Sequence, residues 1–322
     1  MPQRTQGTQR TRVVLVGEGA IARKHAAALQ RIDDVEIATV VGGDAQATEA
    51  FAAEHGIERH GLDLQPALDD PEIDAAILTS PTPLHAEQAI QVMEAGKHVL
   101  VEIPMADNLP DAEAVVAAQR RTGRTAMVCH TRRFNPSHRW VHQRIESGDL
   151  ALQHLVAETF FFRRENRNAL GQPRSWTDHL LWHHACHTVD LFLHQTGELP
   201  SRAGAHQGPP HPELGIAMDM TVGLQSPSGA LCTLALSFNN DGPLGTTFRY
   251  IGTTGTYLAR YDDLVDGNGK PIDVSDAAQS PDGIENQDRE FLAAVREGRE
   301  PEASVAQCLP TMQVLDRIER TL

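Results

Sequence analysis

Lysine is nearly missing from this 322-residue chain: of 28 basic residues only Lys24, Lys97 and Lys270 are lysines. Positive charge is therefore almost all guanidinium, the planar group that grips carboxylates and phosphates two bonds at a time. Bases are also outnumbered, 28 against 43 acids, for a formal balance of -15. A field of that sign repels polyanions and excludes nucleic acid and an anionic membrane as main partners. Cysteine is scarce as well. Cys129, Cys186, Cys232 and Cys308 lie far apart with no CxxC pair, which excludes a disulfide framework or thiolate metal site and fits a reducing cytoplasm. No apolar run approaches the ~20 residues a spanning helix needs. Residues 1–11 are polar, lack the apolar stretch of a secretory signal, and read as a disordered lead-in. With 40% hydrophobic and 22% charged residues, the rest is expected to fold, and the length implies two domains.

What is present first is an alternation. Arg12–Val16 is a β-branched run ending at Gly17, with helical spacing over Ala20–Gln30. Strands at Val35–Val41, Asp74–Thr79, His98–Glu102 and Thr125–Cys129 alternate with helices at Asp44–His55, Pro83–Glu94 and Pro110–Arg121, most of them closed by a glycine. This predicts an α/β domain over 12–130, a Rossmann-type parallel sheet wound on both faces. Beyond His130 the pattern changes. A helix over Asn135–Glu146, a strand over Leu155–Arg163 and a helix over Thr177–His194 precede strands at Met218–Gln225, Ala230–Phe238, Thr246–Ile251 and Thr256–Arg260. Helices at Asn286–Glu297 and Val305–Arg320 end the chain. Residues 131–322 are thus expected to form an α+β domain with a large, mostly antiparallel open sheet.

Gly17-Glu18-Gly19-Ala20-Ile21-Ala22 matches the dinucleotide fingerprint G-x-G-x-x-G/A. The first glycine makes the turn, the second admits pyrophosphate, and the small sixth residue lets helix and strand pack closely. Gly17, Gly19, Ala20 and Ile21 are expected to hold the cofactor at the helix N-terminus. The second strand ends Val41-Gly42-Gly43-Asp44, with no base nearby unless Arg23 reaches over; Asp44 reads equally as a ribose ligand or a plain N-cap. The cofactor is NAD or NADP, with a lean toward NAD. Ser80, Thr82, His85 and Glu102 lie in loops that leave strands on the carboxyl edge, where the nicotinamide is expected.

The run from Trp176 to Asp190 carries His179, His183, His184 and His187. His183, His187 and Asp190 can share a helical face, and a neutral imidazole can accept a proton near pH 7. The glutamate of HExxH is absent and no third ligand is evident, so no metal is expected. Between 131 and 175 there are eight arginines against four acids, a basic segment in an acidic chain. Arg132, Arg133, Arg163 and Arg164 end strands and point to a small dicarboxylate substrate.

The fingerprint, Ser80-Pro81-Thr82-Pro83, Glu102-x-Pro104 and the histidine helix with Asp190 together resemble the Gfo/Idh/MocA oxidoreductases over about 11–304. The runs 129–138, 173–184 and 237–245 are similar to a branch of that family acting on a small dicarboxylate hemiacetal. The resemblance implies a cytoplasmic NAD(P)-dependent dehydrogenase, a C-terminal sheet that makes a homodimer, and a catalytic set of His187, His183 and Asp190. Trp182 and His184, in one of these runs, are expected beside the substrate. Two departures stand out. Ile103 replaces the lysine common in Glu-Lys-Pro, and His183-x3-His187 replaces Asp-x3-His. Close relatives use NADP and carry bases where this chain has Gly43 and Asp44. Sugar or inositol oxidation, glycoside cleavage with transient use of NAD, and a non-catalytic cofactor-binding regulator are the alternatives.

Overall fold

The computed structural model describes residues 10–167, 171, 173–174 and 176–322. Most of the lead-in, part of the loop from Arg164, and Ser175 lie outside them. The chain divides into two compact units. One contains the residues through Ala106 with Glu113–Cys129 and Gln287–Val305; the other contains Asp107–Ala112, His130–Asn286 and Ala306–Leu322.

The first unit alternates as the sequence suggests. In chain order come β1 (Thr11–Val16), α1 (Ala20–Leu29), β2 (Val35–Val41), α2 (Ala45–His55), β3 (His60–Gly61), α3 (Gln65–Asp69), β4 (Ala75–Leu78), α4 (His85–Glu94), β5 (His98–Val101), α5 (Leu109–Thr122) and β6 (Ala126–Val128). The short β3 and α3 were not expected, because neither carries a periodic apolar pattern. The sheet order is β3-β2-β1-β4-β5-β6, and every pair is parallel. Val13, Val14 and Leu15 of β1 are fully buried, as a strand covered on both faces requires. Chain order reverses between β1 and β4, so the crevice beyond their carboxyl ends is the place where such sheets bind ligands.

The second unit contains α6 (Pro136–Glu146), β7 (Leu152–Phe160), a π-helical turn (Leu180–Ala185) and α7 (Cys186–Thr196). Six strands follow: β8 (Arg202–Gln207), β9 (Asp219–Gln225), β10 (Leu231–Ser237), β11 (Gly245–Gly252), β12 (Thr256–Arg260) and β13 (Asp263–Asp266). Helices α8 (Gly283–Glu297) and α9 (Val305–Glu319) complete the chain. The seven-stranded order is β13-β12-β11-β7-β10-β9-β8, antiparallel except for β7 beside β10, which are not consecutive in the chain. The edge strands β8 and β13 escaped the sequence reading, since Arg-Ala-Gly-Ala-His-Gln has no alternation of apolar residues. One face of this sheet buries Leu155, Ala157, Cys232, Leu234, Val222 and Tyr250. The other carries Val156, Thr233, Gly223 and Arg249, which remain at least partly exposed. No helix among the described residues is long and apolar enough to cross a membrane. All four cysteines are buried and none is in a disulfide.

Candidate active site

In the first unit Gly17 has φ 115 and passes so close to β4 that a Cβ would lie 2.5 Å from Thr79 Oγ1 and 2.7 Å from its carbonyl oxygen. Only glycine satisfies both constraints. Gly19 caps α1 without a side-chain bond, and a Cβ placed there would meet nothing within 4 Å. The first amides of α1, from Ala20 and Ile21 onward, therefore begin a helix with open space at Gly19. That combination fits a pyrophosphate.

The loops after β4 and β5 are tied together by a residue the sequence placed only in one of them. The His85 ring bonds the Ser80 carbonyl at 2.9 Å and the Pro104 carbonyl at 2.8 Å, while Ser80 donates to Gln88 and Thr82 is buried. The Ile103–Pro104 peptide bond is cis. Glu102 is fixed from both sides: one oxygen takes the Ile103 N–H at 3.1 Å and the other faces His25 Nε2 at 3.0 Å. His25 Nδ1 lies 2.9 Å from both oxygens of Asp288. Burial lowers the His25 pKa, but Asp288 and then Glu102 outweigh it and push it up to about 10. The Cys129 sulfur is 4.0 Å from this ring, and His25, Glu102 and Cys129 are close enough to surround an ion. With Asp288 on one ring nitrogen and Glu102 on the other, His25 ties α1 to the end of β5 and to Asp288. His25 and Asp288 were missed in the sequence because 263 positions separate them.

The expectation for Asp44 resolves to the N-cap: its carboxylate accepts from Ala47 N–H at 2.9 Å. The acid that reaches the β2–α2 turn is Glu18, whose Oε1 accepts from the amides of Gly43 at 2.9 Å and Asp44 at 3.1 Å.

In the second unit the histidine run does not form one regular helix. The π turn precedes α7 and alters the phase between its histidines. His183 faces Asp107 at 3.4 Å, stacks on Trp176, and its Nδ1 accepts the His179 N–H at 3.2 Å. His184 bonds Asp178 at 3.0 Å and packs on Phe238 and Phe161. His187 is half-buried, and its Nδ1 is buried with no hydrogen-bond partner among the described residues. Burial, then the Arg132 guanidinium and His130, hold its pKa well below the ordinary value. Burial and these cations therefore favour the neutral form of the ring.

Asp190 does not hold His183 or His187. Arg133 grips it through two bonds of 2.8 and 2.6 Å, Thr311 donates at 3.0 Å, and His130 Nδ1 stands 3.4 Å away. Burial opposes its ionisation, yet Arg133 keeps its carboxyl well below the usual range.

Three residues expected beside the substrate have partners within the protein. Arg133 is committed to Asp190. Arg163 is likewise committed to Asp178, which also binds Arg174 at 2.6 Å and His184, so neither guanidinium offers its fork to a substrate carboxylate. Trp182 is a core residue, 1% exposed, with its indole N–H donating to Glu319 at 2.8 Å. Arg132 and Arg164 differ from the first pair: neither makes an ion pair among the described residues. Arg132 donates to Asn135 at 3.3 Å and lies over the rings of Tyr261 and Phe248. Arg164 donates to Asn239 at 3.0 Å and stacks on Phe162.

Known proteins match this chain over nearly its full length. Residues 11–130 match the oxidoreductase family with the NAD-binding Rossmann fold, Gfo/Idh/MocA, and 136–278 match the C-terminal region of bacterial oxidoreductases. The chain is 57% identical over 308 residues, 96% of its length and 98% of the relative's, to 4-carboxy-2-hydroxymuconate-6-semialdehyde dehydrogenase of Sphingobium sp.. Levoglucosan dehydrogenase in complex with NADH shares the fold with a TM-score of 0.86 at 20% identity, covering 97% of both chains. An oxidoreductase domain protein from Kribbella flavida shares it at 0.84 and 20% identity, covering 98% of this chain and 97% of its own. The full-length similarity and the glycine cradle agree: the chain belongs to the Gfo/Idh/MocA family and is an NAD(P)-dependent oxidoreductase.

Proposed function

We propose that the substrate is the cyclic hemiacetal of 4-carboxy-2-hydroxymuconate semialdehyde, oxidised to the lactone 2-pyrone-4,6-dicarboxylate in aromatic catabolism. The observation that carries this reading is the 57% identity to the Sphingobium dehydrogenase over nearly the full length of both chains. The site chemistry supports it independently, because Arg132 is a half-buried cation without an ion-pair partner among the described residues, and its charge is felt by His187. A neutral polyol can accept hydrogen bonds from such a cation, whereas a carboxylate also supplies the opposite charge and a bidentate acceptor.

In the proposed mechanism His187 removes the proton of the hemiacetal hydroxyl as hydride leaves the same carbon. Bound nicotinamide dinucleotide supplies the hydride acceptor. The product is a lactone, so no covalent enzyme intermediate is needed. Arg132, with Arg164 as a second contact, orients the carboxylates. A dianionic substrate also offsets the field of Arg132, and that raises the basicity of His187 when it is needed. Asp190 and Arg133 are held to each other, and His183, its Nδ1 already an acceptor, is second choice as the base.

The chain is proposed to act in the cytoplasm, in keeping with cysteines that form no disulfide, and as a homodimer across the half-exposed face of the seven-stranded sheet. Incubating the protein with the hemiacetal and either dinucleotide, then identifying the product by chromatography and mass, tests the substrate. Formation of the lactone dicarboxylate supports the reading, and recovery of unreacted hemiacetal with both cofactors removes it.

A further inference from the structure

The turn after β2 is where a Rossmann domain meets the adenosine ribose, and it is here held by an anion of the protein itself. Glu18, between the two fingerprint glycines, reaches across and takes the amides of Gly43 and Asp44 on Oε1 at 2.9 and 3.1 Å. The packing leaves no latitude beside it. A Cβ at Gly42 would lie 1.9 Å from Thr48 Oγ1 and 2.9 Å from the Glu18 carboxylate. Oε2 of Glu18 accepts no hydrogen bond among the described residues. The cation closest in sequence, Arg23, is engaged elsewhere: it pairs with Glu54 and lies over the Phe51 ring at 5.4 Å. Asp44 is engaged too, as the cap of α2.

We propose that Glu18 sets the cofactor preference of this enzyme, selecting NAD against NADP. A 2′-phosphate needs amides or a cation at this turn. It would find the amides of Gly43 and Asp44 already donating to a carboxylate and would face that negative charge directly. A free 2′-hydroxyl is a donor, and Oε2 is the acceptor it requires. Glu18 thus takes the place that an acid at the end of β2 has in other dinucleotide sites, but from the glycine loop. The inference rests on the dehydrogenase reading and concerns its cofactor only.

Equilibrium titration of NADH and NADPH, followed by nicotinamide fluorescence without substrate, tests it on the intact protein, with ADP-ribose and its 2′-phosphate as calorimetric probes. Wild type is expected to bind NADH at least tenfold more tightly than NADPH. Glu18→Gln preserves the shape of the side chain and removes its charge, and Glu18→Ala frees the amides. In both variants the ratio should fall at least tenfold, with NADPH binding gained as well as NADH binding lost. A wild-type preference for NADPH, or an unchanged ratio in both variants, overturns the proposal. Failure of both dinucleotides to bind overturns it together with the dehydrogenase reading, whereas binding without NADH preference leaves that reading intact.

Discussion

In the proposed mechanism the chemistry turns on His187 and Arg132, and their electrostatic coupling makes a signed expectation. Arg132 is a cation beside a base that burial already holds below its ordinary pKa. Removing the cation in Arg132→Ala should move the acid limb of kcat/KM to higher pH, toward the ordinary imidazole value. Its KM for the dicarboxylate should rise, because the lost bond is made to substrate and transition state alike. In wild type the acid limb of kcat, which reports the bound complex, should lie above that of kcat/KM, since bound carboxylates offset Arg132. His187→Ala should lower kcat by about 10²–10⁴, and His183→Ala by less. Full activity in His187→Ala would transfer the role to another group. Stability is governed by a different pair. Asp190→Asn leaves the buried Arg133 charge without its anion and should cost about 3–5 kcal/mol in denaturant unfolding. Replacing both by apolar residues should cost less than that single change, and equal losses would mean the charges are not what matters.

Between elements, His25 joins α1 to the end of β5 through Glu102 and to α8 through Asp288. Its folded pKa, about 10, lies above the ordinary 6.5. A group raised in this direction contributes stability that is complete below about pH 6.5 and is lost as pH climbs through 10. Unfolding free energy should therefore fall by about 1.4 kcal/mol per pH unit from this group across that window, and His25→Asn should remove this slope. Identical slopes for the two proteins would show that the ring is neutral. These ties mark the limit of what the chain makes legible. The fingerprint, the parallel alternation and the histidine run are local patterns, and each was visible in the sequence. His25 with Asp288, Glu18 with Gly43, and Asp178 with Arg163 and His184 are meetings of single polar residues across turns and strands, and no periodicity announces them. The same lack of local information made the arginines look equivalent. The fold commits Arg133 and Arg163 to aspartates while Arg132 and Arg164 stay without them. The π turn over Leu180–Ala185 is a further case, because its wider winding alters the phase of the histidines without any signal in composition.

At the scale of the whole molecule, a chain with a balance of -15 is proposed to bind a dianion. It does so by gathering arginines and by neutralising some of them internally, so that the cation offered to substrate is a small part of the basic segment. The open sheet face with Val156, Thr233 and Arg249 belongs to the same scale. If it joins two copies, sedimentation should give a dimer at micromolar concentration, and Val156→Asp should give monomer; a wild-type monomer would reject that assembly. The most direct test of the central claim is a comparison of kcat/KM for the dicarboxylate hemiacetal and for inositol or simple sugars, read as formation of reduced nicotinamide. The account expects the hemiacetal to be favoured by about a hundredfold or more, because a site built around a cation for a carboxylate is left uncompensated by a neutral polyol. Equal or faster oxidation of the polyols, or none of the hemiacetal, would contradict it.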